Sequence, residues 1–169
     1  MCWRTVQEPN PGEPWTYSEI VAAKYYARAI IIHLGLNVTT GLGEIGPVVD
    51  SPKMMVIQNL CTIMAGAEPT NLPIEIQSEA TNIGYYSFSL TNGDTLIALW
   101  TDGVAVDDDP GVKANLTFHG FTTQNVMGID VLKGLQQPII TSSENGNLTI
   151  QNLIVRDYPL ILHITKSNT

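Results

Sequence analysis

The chain has 169 residues, 44% apolar and only 14% charged, with a formal net charge of −8. That composition belongs to a packed globular chain rather than a disordered one. Without a Lys/Arg cluster it lacks the footprint of nucleic-acid binding, and no apolar run reaches the ~20 residues a membrane helix needs.

The opening stretch, 1–15, is rich in Pro and Glu and has neither the basic start nor the apolar core of a signal peptide. The default expectation for location is therefore cytoplasmic. Sequons at Asn37, Asn115 and Asn147 carry no weight without a secretory route. Cys2 and Cys61 show no metal-ligand spacing and are expected as ordinary thiols, although a disulfide between them stays open. His33, His119 and His163 are scattered and read as structural. No cofactor is expected.

Residues 16–35 read as a helix. Thr16 and Glu19 have capping-box spacing, Trp15 and Ile20 fit a hydrophobic staple, and Gly35 supplies a stop. Ile20, Ala23, Ala27, Ile30, Ile31 and Leu34 form one apolar face; Ala22, Tyr25, Ala29 and Ile32 form a second. Lys24 and Arg28 divide the two faces on one side. A surface helix needs one such face, so this one is expected to be sandwiched between two partners. After a short strand and loop, Ser51-Pro52 announces a second helix over 52–66, striped by Met54, Ile57, Cys61 and Met64.

From Leu72 the period changes to two. Strands are expected at 72–77, 85–90, 95–101, 114–118, 125–132, 138–143, 147–155 and 159–165. Asn92-Gly93 and Asn145-Gly146 suit type I′ hairpins. Some strands alternate only partly, as strands covered on both faces do. The fold class is mainly β with N-terminal helices (α+β): two helices in a segment 1–67, then an antiparallel β-sandwich of about eight strands over 68–169.

The order of EIVAAKYYARAIIIHLGL, NVTTGLGEIG, PKMMVIQNLCTIMAGAE, GDTLIALWTDG, VMGIDVLKGLQQ and ENGNLTIQNLIVRDYPLIL resembles the C-terminal end of bacterial (β/α)8-barrel glycoside hydrolases that carry an appended β-sandwich. No single motif is diagnostic; the order carries the resemblance, over most of the chain. It implies a last pair of barrel helices flanking an eighth barrel strand. Such enzymes use two carboxylates from separate strand ends. The acid/base strand has no counterpart here, and Glu8 and Glu13 do not take the nucleophile role. The resemblance therefore implies a C-terminal piece without hydrolytic activity of its own, in a structural or packing role. Glu44, near the end of the eighth-strand segment, is the remnant candidate for a sugar site, against the simpler reading of a solvated loop carboxylate.

Two other readings stay open. A carbohydrate-binding module would stack sugars on exposed aromatics, and Tyr85 and Trp100 are the candidates. A small enzyme of unknown chemistry would need convergent titratable groups in a pocket. The run DGVAVDDDPG offers Asp107 and Asp109 as calcium ligands, but an acidic turn closed by Pro110-Gly111 accounts for it as well. The apolar helices, if left uncovered by the sandwich, imply a homodimer through Ile20, Ala27, Ile31 and Leu34.

Overall fold

A computed structural model describes residues 17–39, 41, 51–121 and 125–166. Among the described residues two helices, α1 (Glu19–Gly35) and α2 (Pro52–Ile63), precede ten strands. These are β1 (Glu68–Thr70), β2 (Ile74–Ser78), β3 (Ile83–Ser89), β4 (Thr95–Thr101), β5 (Val112–His119), β6 (Val126–Asp130), β7 (Leu135–Pro138), β8 (Thr141–Glu144), β9 (Asn147–Val155) and β10 (Leu160–Ile164). The fold is mainly β in an α+β arrangement, as the change of period implies. The strands form two antiparallel sheets, one ordered β1-β3-β4-β10-β6-β7 and the other β2-β5-β9-β8.

The six-stranded sheet is the middle of three layers. On one face, Phe88, Leu96, Ala98, Trp100, Ile129 and Ile161 pack against both helices. On the other, Ile97, Leu99, Val126, Leu162 and Ile164 meet Leu116, Phe118, Leu148 and Ile150 of the four-stranded sheet. Successive residues of a strand point to opposite faces, so a strand covered twice must be apolar at every position. That is why Leu96 to Trp100 form an unbroken buried run, whereas β5, covered on one face only, alternates.

The helix question posed by the two apolar faces is thus answered within the chain. Ala23, Ala27, Ile30 and Ile31 are buried against the middle sheet and α2, and Ala22 is fully buried beside them. The expectation that Ala27 and Ile31 stay uncovered is overturned; of the four residues named for a dimer contact only Ile20 is exposed, with Leu34 half-buried. In α2 the buried face is Val56, Ile57, Leu60 and Met64, and Cys61 points outward.

The helix ends follow local chemistry. Ser51 caps α2 by accepting the Met54 N–H (3.3 Å), with Pro52 at the first helical position. The cap of α1 is Ser18, whose hydroxyl accepts the Val21 N–H (3.1 Å); Thr16 and Trp15 lie outside the described residues. The helix ends at Gly35 as expected, but Gly35 is not the left-handed residue that stops it. Asn37 adopts the left-handed conformation (φ 55°), with Val38 N–H donating to His33 O (2.8 Å) and Asn37 N–H to Leu34 O (3.0 Å), a Schellman ending. Gly35 is needed for a different reason: a Cβ there would lie 2.1 Å from the Tyr86 ring.

Three strand details depart from the sequence reading. A short edge strand, β1, precedes the change of period at Leu72 and pairs with β3. The expected strand over 138–143 is divided between the sheets, because the chain crosses from β7 to β8 at Ile139 and Ile140. Asn145-Gly146 has both residues at positive φ, as a type I′ turn requires. At Asn92-Gly93 only Gly93 does (φ 88°), and Gly93 N–H donates to Leu90 O (2.9 Å), a type I turn followed by a glycine bulge.

Candidate functional site

The most concentrated polar chemistry lies where α1 meets the loop after β4. Lys24 and Arg28 are 2% and 4% exposed on an otherwise apolar helix. Neither has an acidic residue three or four positions away, so their partners are distant in sequence. Arg28 spends its guanidinium on backbone carbonyls: Nε donates to Asp157 O (2.7 Å), one terminal nitrogen to Gly103 O (2.6 Å) and the other to Thr101 O (3.2 Å). Burial lowers the Arg28 pKa, and the nearby Asp157, Tyr25, Asp102 and Asp109 oppose it. Lys24 Nζ donates to Val106 O and sits 2.8 Å from Asp157 Oδ1, an ion pair by distance rather than an aligned hydrogen bond.

Asp157 organises this cluster. Its other oxygen accepts the Val106 N–H (2.8 Å), and its own N–H donates to Asp109 Oδ2 (2.7 Å). The Tyr25 hydroxyl accepts the Ala105 N–H (3.1 Å), and the Ser18 hydroxyl donates to Asp107 Oδ1. The acidic run therefore serves as a strap. The carboxylates proposed as calcium ligands, Asp107 and Asp109, face Ser18 and the Asp157 backbone. No group of three His, Cys, Asp or Glu side chains is placed to hold a metal among the described residues.

The other candidates fall apart from this cluster and from one another. Glu44 lies outside the described residues, as does Cys2. Trp100 is 3% exposed and faces the helices, with its ring stacked on Tyr86 at 6.1 Å between centroids. Tyr85 faces the opposite side of the same sheet, half-buried, and its hydroxyl accepts the Ile74 N–H at 3.4 Å. The two aromatics thus form no common platform, and no aromatic side chain is fully exposed among the described residues. His163 Nε2 lies 2.8 Å from Asp94 Oδ2, linking β10 to the β3–β4 turn; His33 and His119 also have local partners.

A cleft of about 670 Å³ opens on the side of the sandwich between β6, β7 and the second half of β9. Asp130 and Tyr158 form part of its lining; the Tyr158 hydroxyl donates to Asp130 Oδ2 (3.1 Å), and Asp130 Oδ1 accepts the Leu132 and Lys133 N–H groups (2.9 and 3.2 Å). Burial, reinforced by the Asp130 charge, raises the Tyr158 pKa well above its ordinary value, so the phenol stays protonated. The sequence signal for this region was RDY: three polar residues in the short turn between two apolar strands.

Chemically, the α1–loop cluster has its charges paired internally and is built for attachment. The cleft combines polar and apolar walls and is a concave feature with room for a ligand. Comparison with protein-family models and with curated proteins returned no match.

Proposed function

We propose that the chain is a non-catalytic β-sandwich module with a helical layer, related to the tail of bacterial (β/α)8-barrel glycoside hydrolases and acting as a packing unit. The observation that carries this reading is the attachment of α1. Its apolar residues share one core with the middle sheet, and Lys24 and Arg28 hold three backbone segments, around 101–103, 106 and 157. Helices that end a barrel and also cover a sandwich would need such a joint, because both layers must keep a fixed mutual position. The same charges are engaged in holding backbone, which favours a structural over a chemical role for them.

Carbohydrate binding through Tyr85 and Trp100 is the weaker reading, since the two rings lie on opposite faces of the sheet. A homodimer through the helices now rests on Ile20, Leu36, Val38 and Met55, the apolar residues left exposed on and beside α1 and α2.

The test is an assay of the purified chain against a panel of aryl glycosides. No turnover is expected. Turnover that survives repurification and is lost in Glu44→Gln would overturn the proposal and assign Glu44 a catalytic role.

A further inference from the structure

We infer that the cleft beside β9 accepts an extended strand from a partner polypeptide, which pairs with the outer edge of β9 beyond Ile150. β9 runs over nine residues, but β8 pairs with it only from Asn147 to Ile150. From Gln151 to Val155 no strand of the described residues lies on that side, while β5 covers the other. β7, across the cleft, is an edge strand too, paired among the described residues only with β6. Both edges border the same cavity. An unpaired edge is a template for another strand, and the regular stretch beyond the left-handed Asn152 (φ 55°), residues 153–155, spans about 10 Å.

The walls define the guest. Leu135, Ile140 and Ile154 line the cleft and are strongly exposed, at 64%, 91% and 41%. They call for alternate apolar side chains on the incoming strand. Gln136, Gln137 and Gln151 supply carboxamides, which match the donors and acceptors of a peptide backbone. The Asn152 N–H is taken by Asn115 Oδ1 (2.9 Å), so pairing falls on its neighbours.

Charge fixes one end. Of the two charged lining residues, Asp130 already accepts three hydrogen bonds, whereas Arg156, exposed in a chain of net charge −8, donates to the Asp109 carbonyl (2.7 Å) and pairs with no carboxylate among the described residues. A guest continuing the line of β8 runs antiparallel to β9 and brings its first residue beside Arg156. The partner strand therefore starts with an acidic residue. A sugar fits these walls less well: Tyr158 is the one aromatic lining residue among those described, it is 7% exposed, and the Lys24 ammonium sits 5.4 Å from its ring centroid.

The experiment is fluorescence anisotropy with the intact chain and a blocked, labelled peptide of the order Asp-Val-Thr-Val-Thr-Val. Saturable binding is expected. Methylating alternate backbone nitrogens of the peptide should weaken it at least about tenfold by removing ladder hydrogen bonds. Replacing the leading Asp with Lys should weaken it several-fold, and Arg156→Glu should reverse that preference. Because Arg156 also donates to Asp109 O (2.7 Å), Ile140→Ser serves as the second variant; its side chain is exposed, and it should weaken binding while leaving the melting temperature unchanged. No saturable binding, or equal binding of the methylated peptide, would overturn the inference. So would displacement of the peptide by neutral oligosaccharides, which would assign the cleft to a sugar, or by self-association of the chain, which would assign it to a second copy.

Discussion

The two faces of the middle sheet are buried by different means. Toward the four-stranded sheet, Ile97, Leu99, Phe118, Leu148 and Ile150 make an apolar interior without a buried charge. Toward the helices, the core is equally apolar at its centre, but its margin holds Lys24, Arg28 and Asp157. Two sheets that cover each other need only matched alternating strands. A helix laid on a sheet must also be fixed in position and angle, and apolar contact is non-directional. The buried ion pair and the backbone bonds of Arg28 supply that direction, at a desolvation cost the inter-sheet core avoids.

The sharpest way to break this comparison is to remove one charge and leave the other. Asp157→Ala leaves Lys24 buried without its counter-ion and the Val106 N–H without its acceptor. A loss of about 3–5 kcal/mol is expected in denaturant unfolding. Lys24→Met combined with Asp157→Asn should cost less than the sum of the two single changes, which is the signature of a coupled pair. If the costs simply add, the cluster is not the joint described.

Gly35→Ala tests the apolar part of the same layer. The new methyl must displace the Tyr86 ring, and overpacking of this kind costs about 1–3 kcal/mol. On an exposed helix end the same change would stabilise, so the sign of the effect in thermal unfolding separates the two accounts.

The smallest expected effect lies at the far side, where Asp94 ties β10 to the β3–β4 turn. Burial alone would raise its pKa, but the Lys166 N–H (2.9 Å), His163 and the Asn92 amide outweigh it and hold the carboxyl below its ordinary value. A carboxyl that ionises more easily in the folded state adds stability that is complete above its ordinary pKa of about 3.9 and is lost as pH falls through the folded value. Melting temperatures of the wild type and Asp94→Asn should therefore differ at pH 6 and converge toward pH 2. A gap that is constant with pH would remove the electrostatic explanation.

The contrast between the faces also explains what could be read from sequence. The strands announced themselves through period two, and β4 through an apolar run that only a doubly covered strand can carry. Ser51-Pro52 announced α2. The end of α1 at Gly35 was legible but its cause was not: Gly35 is there to admit Tyr86, and Asn37 takes the left-handed turn. β1 is three exposed residues, too short to show a period. The joint was half legible: two cations on an apolar helix without a local acid require a distant partner, but nothing in the spacing selects Asp157 from sixteen acidic residues. Apart from the polar RDY turn, the cleft left no local signal, because it forms where β8 falls short of β9, a property of pairing rather than of any segment.

The central claim is that the helical layer and the sandwich are one cooperative unit through their shared middle sheet. Native-state hydrogen exchange tests it most directly, by comparing the amides of Ala27, Ile30 and Ile31 in α1 with those of Ile97 and Leu99 in β4. The account predicts a single opening free energy for both groups, equal to that of global unfolding, and a common loss of protection in Asp157→Ala. Helix amides that exchange through a separate opening of lower energy, while β4 stays protected, would contradict it.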